Sequence, residues 1–251
     1  MKINYRSAYC YVLSVFLLLS FQSCAGQPYR TNPRFEQYFQ KPKKVSLMPP
    51  DVKMYQLTAG GVDEFKQDWT ETSEAYIRTA IVNQLNQNES FSDITEIKRP
   101  DISASQDDFL REQQGLYNAA AKGIVLHTYY PDTIIKARVE EFDYTLGSAF
   151  SNIGEINPAE TFLFYSARNY IWTAGRVTMF ILAAAVYGEN AAYVVPAGEE
   201  YINLSLVDAQ TGDVIWFNHK PMPGDLRKEK VADKVVKKLF EDFPYKDKKK
   251  D

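Results

Sequence analysis

The chain has 251 residues, of which 45% are hydrophobic and 14% aromatic, which is enough for one sizeable core. Its formal net charge is −3, so the composition excludes the strongly basic balance on which nucleic-acid binding depends. We predict one folded domain over residues 45–243, followed by a solvated, lysine-rich tail over residues 244–251.

The N-terminus has the composition of an export signal. Lys2 and Arg6 precede an apolar run over residues 11–21, and small residues follow it. The run is shorter than the roughly 20 residues that a membrane span needs. We therefore predict a signal peptide over residues 1–23.

Cys24 stands where the sequence resembles a bacterial lipoprotein signal. That resemblance implies that the cysteine is acylated, with palmitate among its chains, and that it becomes the new N-terminus; an ordinary cleaved signal and an uncleaved anchor are the alternatives. Ala25 resembles the outer-membrane sorting pattern of Gram-negative lipoproteins. Cys10 lies in the leader, so the mature chain would contain no disulfide. We expect an outer-membrane, lipid-anchored protein that faces the periplasm or the cell surface.

Residues 24–44, rich in Pro, Gln and Asn, are predicted to be a tether. The segment 45–57 is predicted to be extended, and Pro49 and Pro50 restrict it to a sheet edge or a bulge. The turn at 59–61 lacks the further residues of a phosphate-binding loop.

Two helices follow in the predicted order. The first begins near Asp68, with a capping box to Glu71, and ends at Asn86. The second begins near Ser105, with capping-box spacing to Asp108, and extends to about residue 127. The apolar positions that should face the core in the first helix are Ile77, Ala80, Ile81 and Leu85.

Alternating patterns predict strands in the middle of the chain. Residues 133–146 are predicted to be a strand or extended arm, and residues 147–157 a short helix or turn. Residues 160–168 carry apolar side chains at both parities, which indicates a central strand.

The segment Val177–Tyr187 contains eleven residues without a charge. As a helix it would be about 16 Å long, half of a bilayer core, which argues against a monomeric span. Three interpretations stay open: a buried core helix, a helix lying in the lipid interface, or an oligomerisation surface. The candidate membrane or oligomer contacts are Trp172, Val177, Phe180, Ile181 and Leu182.

The stretch 201–218 has the pattern of a β-hairpin. Asp208 and Asp213 are predicted to stabilise its turn, and Trp216 is predicted to lie in the core. A last helix follows residues 223–225 and ends near Phe243.

The sequence contains no recognisable catalytic constellation. His127 is interpreted as a structural residue at a helix end, and His219 as a surface residue, because no metal-ligand spacing joins them. Glu140 and Glu141 would point to opposite faces of a strand. We therefore predict no enzymatic activity, no cofactor and no metal.

The hairpin sequence from Leu206 to Trp216, together with residues 142–147 and 175–176, resembles a group of Gram-negative lipoproteins. The group includes relatives of the curli secretion lipoprotein CsgG, lipoprotein activators of penicillin-binding proteins, and uncharacterised outer-membrane lipoproteins. The resemblance implies an α/β fold, a single mixed-sheet sandwich with flanking helices that is anticodon-binding-like. It also implies non-enzymatic work in assembly or partner activation.

Three functions follow as expectations. The first is a lipid-anchored envelope protein whose domain binds another envelope protein. The second is an oligomeric, membrane-associated assembly or secretion component that uses residues 177–187. The third is an envelope hydrolase. A secretion channel of the CsgG kind is disfavoured, because residues 177–187 are predicted to be helical where such a pore would have strand hairpins.

Overall fold

The structure, a computed structural model, describes residues 28–241 and 243. The signal peptide, the acylated Cys24 and the tail over residues 244–251 lie outside the described residues, so they stay predictions.

Within the described residues, the strands form one mixed sheet of eight. Its order is β1-β8-β7-β6-β2-β5, with β3 beside β6 and β4 beside β3. The strands are β1 (Tyr29–Thr31), β2 (Lys43–Leu47), β3 (Asp51–Leu57), β4 (Asp63–Phe65), β5 (Phe91–Glu96), β6 (Thr161–Trp172), β7 (Tyr201–Asp208) and β8 (Val214–Pro221).

Helices cover both faces of this sheet, which confirms the predicted mixed α/β architecture. Short 3-10 turns lie at Arg99–Asp101, Ser148–Glu155 and Gly188–Asn190. The helices are α1 (Phe35–Tyr38), α2 (Gln67–Asn86), α3 (Ala104–Thr128), α4 (Lys136–Glu141), α5 (Ala174–Tyr187), α6 (Ala191–Val194) and α7 (Glu229–Glu241).

The central strand is β6, as predicted. It pairs with β7 in antiparallel and with β2 and β3 in parallel. Phe162 and Phe164 point to one face while Leu163 and Tyr165 point to the other, and all are buried. The break between β2 and β3 falls at the two prolines, whose missing N–H groups interrupt the ladder.

Each face of the sheet carries its own hydrophobic cluster. On one face, α2 and α7 pack over the sheet, and Ile81 and Phe240 lie in the same cluster as Trp216. On the other face α3 covers the sheet, with Tyr117 stacked on Phe164 at 4.2 Å between ring centroids. The four predicted core positions of the first helix are all buried.

The hairpin is formed by β7 and β8, as predicted. The Asp208 carboxylate accepts a hydrogen bond from the Gln210 backbone N–H at 2.8 Å. Gly212 has φ +74°, and a Cβ there would meet the Gly147 carbonyl oxygen at 2.4 Å, so the turn requires glycine. Asp213 differs from its predicted role, because its carboxylate pairs with Arg34.

Three local predictions differ from the structure. Residues 136–141, predicted to be extended, form α4, because the apparent alternation of apolar residues has no sheet to pair with. The first capping box is wrong, since α2 begins at Gln67 after Lys66 without a side-chain cap. The second capping box lies two residues earlier than predicted, between Ser103 and Gln106.

The segment predicted to be a tether is folded from residue 29 onward. Tyr29–Thr31 pairs with β8, Phe35 is buried in the core, and β2 begins at Lys43. Composition suggested a loose linker here because prolines and amides dominate, but the interspersed aromatic residues supply apolar surface for burial.

Candidate functional site

The candidate site is a helical hairpin over residues 174–195, called here the apolar projection. It begins with α5, whose N-terminus is capped by the Thr173 hydroxyl, which accepts a hydrogen bond from the Arg176 backbone N–H at 3.2 Å. The helix ends at Tyr187, and the C-cap residue Gly188 has φ +59°. The chain then turns back, and Ala183, Ala191 and Val195 pack together as a small separate cluster.

The base of the projection is fixed to the end of the sheet. Trp172 and Phe180 make an edge-to-face contact with 5.4 Å between ring centroids. The buried Arg176 guanidinium donates a hydrogen bond to the Pro196 carbonyl oxygen at 2.6 Å and lies 5.8 Å from the Trp172 ring. A Cβ at Gly198 would be 2.9 Å from the Tyr170 ring, so the returning chain also packs closely. The projection is therefore held in place by specific contacts with the rest of the fold.

The outward face of α5 is apolar and exposed. Ile181 is 61% exposed, Leu182 63% and Val186 74%, and Val177 and Met179 are also exposed. At 100° per residue, these side chains cover about 200° of the helix circumference. The helix is confirmed, and its interpretation as a buried core helix is wrong.

The five predicted contact residues fall into two groups. Val177, Ile181 and Leu182 lie on the exposed face of α5. Trp172 and Phe180 are partly buried and pack against each other at the base. Their roles as membrane or oligomer contacts stay predictions.

The helical stretch is longer than the sequence indicated. Ala174–Val194, 21 residues, is long and apolar enough by length and composition to cross a membrane, and 6% of its apolar window is buried. However, the chain reverses at Gly188, and the continuous helix α5 has 14 residues. At 1.5 Å per residue it is about 21 Å long, less than the roughly 30 Å of a bilayer core.

The described chain starts on β1, whose first residue points toward the end of the sheet that carries the projection. β6 and β8 run toward that end, and β1 runs antiparallel to β8, so Tyr29 is at the end of β1 nearer to it. Tyr29 pairs with Asn218 and is level with Tyr165, seven residues before Trp172 on β6. Residues 25–28 separate Cys24 from β1. Five steps of extended chain span at most about 17 Å, so an anchor at Cys24 would hold β1 within that distance of the lipid.

A cleft opens near the end of the sheet that carries the projection, between the C-terminal half of α3 and the sheet. We call it the sheet-end cleft. Its volume is about 420 Å³. It is lined by one aromatic or imidazole side chain from each of four neighbouring strands, together with residues of α3 and Tyr130. The strand residues are Tyr55, Tyr170, Tyr201 and His219.

His219 is buried in this cleft wall, contrary to its predicted surface position. It is 8% exposed, and burial lowers its pKa to about 4, so the ring is neutral at pH 7. Its Nδ1 lies 2.7 Å from Asn203 Oδ1, and its Nε2 has no hydrogen-bond partner in the described structure. The parity of β8 places His219 on the same face as Phe217, and this is the sequence signal that could have identified it.

An ion pair closes the wall of the cleft on the side of β3. Arg168 Nη2 donates to both carboxylate oxygens of Asp51 at 3.0 Å, and the Asn118 amide donates to Asp51 Oδ2 at 3.0 Å. Arg168 Nη1 also donates to the Asp51 backbone carbonyl oxygen at 2.8 Å. The guanidinium charge is thereby neutralised inside the fold.

Glu74 lies on α2, in a second cavity next to the two prolines that separate β2 from β3. Burial and, secondarily, the carboxylates of Glu71 and Asp51 raise the pKa of Glu74 to about 7. The folded state therefore favours the protonated acid, whereas the unfolded carboxyl titrates near 4.5. This contribution to stability is complete below pH 4.5 and is lost as the pH rises through about 7.

We expect Glu74→Gln to be more stable than the wild type at about pH 8, by on the order of 1–3 kcal/mol, with the difference shrinking toward about pH 5. The amide keeps the shape of the protonated acid and carries no charge to desolvate. Urea unfolding of both proteins at the two pH values measures the difference. Lys238→Gln, an exposed change, is the control. A difference that does not vary with pH would contradict the assignment.

No metal site accompanies these features in the part of the chain that the structure describes, where no group of three or more His, Cys, Asp or Glu side chains is placed to hold an ion. His127 lies in the last turn of α3, with its Nδ1 3.5 Å from the Thr133 carbonyl oxygen. It is not among the residues that line the sheet-end cleft.

No protein-family profile and no curated protein sequence matches the chain. Among solved structures, it is similar to the PelC dodecamer from Paraburkholderia phytofirmans, with 11% identity, coverage of 85% of this chain and 93% of that one, and a TM-score of 0.34. A second PelC structure from the same organism is 11% identical, covers 80% of this chain and 88% of that one, and has a TM-score of 0.33. The C-terminal domain of LpoB from Salmonella enterica is 17% identical, covers 76% of this chain and 94% of that one, and has a TM-score of 0.26. Likenesses this distant carry no argument about function.

Proposed function

We propose that this chain is a non-enzymatic, lipid-anchored protein of the cell envelope, which lays the exposed face of α5 into the membrane interface. The single observation that carries the proposal is the uncharged face formed by Val177, Ile181, Leu182 and Val186, exposed on a built projection. Its occupant is inferred to be lipid, for the reasons that follow.

The first reason is the shape of the face. It is convex and extends over about 200° of the helix, so a fluid lipid phase can contact all of it, whereas a flat protein surface would contact a narrower strip. An interfacial helix buries its apolar side about 5–10 Å deep and keeps its polar side outward. Here the inner side of α5 is covered by the rest of the projection, through Ala183 and Ala191.

The second reason is the position of the anchor. An acylated Cys24 would leave at most about 17 Å of chain before β1, so the end of β1 that is nearer to the projection would lie close to the bilayer. An α5 lying parallel to the surface keeps Glu189 and Asn190, at the tip, at the level of the headgroups. Insertion tip first would instead place the Glu189 charge in hydrocarbon, which is costly.

Such an orientation leaves the two helical layers beside the sheet free to bind an envelope partner. This partner-binding role rests on the predicted lipoprotein signal. It corresponds to the first function expected from the sequence, in which the partner is another envelope protein. The same exposed face also supports the second expected function, an oligomer that assembles through α5. The experiment below separates oligomer formation from lipid binding.

The test uses the leaderless protein, the chain from residue 25 onward, so that neither the apolar run over residues 11–21 nor an acyl group on Cys24 can bind lipid. Flotation with phosphatidylethanolamine and phosphatidylglycerol vesicles should recover this protein with the lipid. Leu182→Glu in the same background should reduce the vesicle-bound fraction about tenfold or more, because it removes a large apolar contact and adds a charge. Leu116→Glu, at a 44% exposed position on α3, is the matched control and should bind like the parent.

Sedimentation velocity without lipid separates the alternatives. A leaderless protein that is monomeric and floats with vesicles supports the proposal. One that ignores vesicles and forms a defined oligomer, dissociated by Leu182→Glu, would replace lipid with a second copy of the chain as the occupant.

A further inference from the structure

The sheet-end cleft combines a size and a wall chemistry suited to a small ligand. Its volume of about 420 Å³ lies within the usual range of ligand sites, about 300–1,000 Å³. The floor is built on neighbouring strands of the sheet, and α3 forms the opposite wall. Rigid elements of this kind hold side chains in fixed positions, which a binding site requires.

Three tyrosines line the cleft on the side of the sheet. The Tyr55 and Tyr170 rings are stacked, with 5.1 Å between centroids and 15° between planes. Tyr201 lies on the next strand, and its ring centroid is 6.3 Å from that of His219. A ligand that enters here meets these tyrosine rings on the side of the sheet and Tyr130 on the side of α3.

Polar groups lie deeper in the cleft. Asn203 is 5% exposed and Ser166 3% exposed, and the Asn203 amide donates to Ser166 Oγ at 3.4 Å. His219 Nε2 is buried without a partner in the described structure. With Nδ1–H donating to Asn203 Oδ1, Nε2 is left as an acceptor, so it requires a donor such as a hydroxyl or an amide N–H.

The charges in the cleft do not favour an ionic ligand. Arg168 is bound to Asp51 through both carboxylate oxygens, and the remaining charges of the lining, Lys122 and Glu199, have opposite signs. His219 is neutral at pH 7 because burial lowers its pKa to about 4. A phosphate or a carboxylate would find no free cation among the deep groups.

We propose that the sheet-end cleft binds a neutral saccharide, with a sugar ring against the tyrosine faces and a hydroxyl or acetamido N–H donated to His219 Nε2. A pyranose ring presents C–H bonds on its faces, which suit aromatic rings, and hydroxyl groups around its edge, which suit the histidine and amide. The cleft does not depend on the proposed membrane contact, since its residues lie outside residues 174–195.

The test is titration of the leaderless protein by NMR or calorimetry with triacetylchitotriose, cellotriose and, as a flat aromatic competitor, adenosine. Saturable binding of a trisaccharide with a Kd of about 1 mM or tighter is expected. His219→Phe keeps a buried ring but removes the acceptor, and it should weaken binding about tenfold. Tyr170→Ala should also weaken it. Leu116→Glu is the control and should bind like the parent.

A second arm distinguishes free sugar from a lipid headgroup. Phosphatidylcholine vesicles with and without a neutral monoglycosyl diacylglycerol are compared, using Leu182→Glu to suppress binding through α5. Sugar-dependent flotation that His219→Phe abolishes identifies a glycolipid source, and binding of free trisaccharide alone identifies a soluble one. The proposal is overturned if folded protein binds neither sugar up to about 10 mM nor the glycolipid, or if adenosine binds and the sugars do not.

Discussion

Trp216→Ala is expected to lower the free energy of unfolding by about 4 kcal/mol, close to the full stability of many domains. Trp216 is fully buried where β8 meets α7. Its ring is stacked with Phe240 at 5.9 Å and meets Phe243 edge to face at 5.3 Å. Truncation to alanine removes these contacts and leaves a cavity that the surrounding helix and sheet cannot fully close.

Two further variants define what the loss means. Trp216→Phe should cost only about 1–2 kcal/mol, because the ring contacts are largely kept and the removed Nε1 has no hydrogen-bond partner in the described structure. Trp172→Ala, at the partly buried base of the projection, should cost about 1 kcal/mol. Urea unfolding followed by circular dichroism measures all three. Equal losses for Trp216→Ala and Trp172→Ala would contradict the placement of Trp216 at the centre of the core.

The hairpin was predictable because its signals agree with one another. Alternation in β7, the turn residues around Gly212 and the β-rich run containing Trp216 all indicate the same local structure. The central strand β6 was predictable for a similar reason, since apolar side chains at both parities can be satisfied only between two covered faces.

Other features depend on tertiary context that a local pattern does not contain. The apolar segment of α5 has the composition of a core helix, and only the structure shows that it leaves the sheet and is exposed. Residues 136–141 alternate in polarity but have no neighbouring strand, so helix formation prevails. His219 is interpreted from the sequence as a surface residue because it follows the hairpin's exposed end, whereas in the structure it is buried and the Tyr129 ring packs against it.

The candidate site was predicted in part. The sequence identified the uncharged segment of α5 but not the sheet-end cleft, because the cleft is formed by side chains from four strands that are distant in sequence. These residues meet only once the strand order is known. As a result, the cleft and the projection lie near the same end of the sheet, and Tyr29 is at the end of β1 nearer to them.

The second large effect is expected at the Asp51–Arg168 ion pair, which joins β3 to β6. Asp51→Ala should destabilise the fold by about 3 kcal/mol, because it leaves the Arg168 charge largely buried and removes the acceptor of the Asn118 amide. The side chains are 14% and 19% exposed, so solvent compensates only a little for the lost partner. Arg168→Leu should cost a similar amount, since it leaves the carboxylate with Asn118 alone.

The double variant separates the interaction from the burial of each charge. If the pair acts as a unit, Asp51→Ala with Arg168→Leu should cost at least about 1 kcal/mol less than the sum of the single losses, because no unpaired charge stays buried. The exposed pair of Lys66 and Glu64, at 3.0 Å, provides a matched cycle with a coupling of about 0.5 kcal/mol or less. Urea unfolding near pH 7 measures both cycles. Additive losses at Asp51 and Arg168 would mean that the two strands are joined by their backbone ladder alone, and that the wall of the cleft does not depend on the pair.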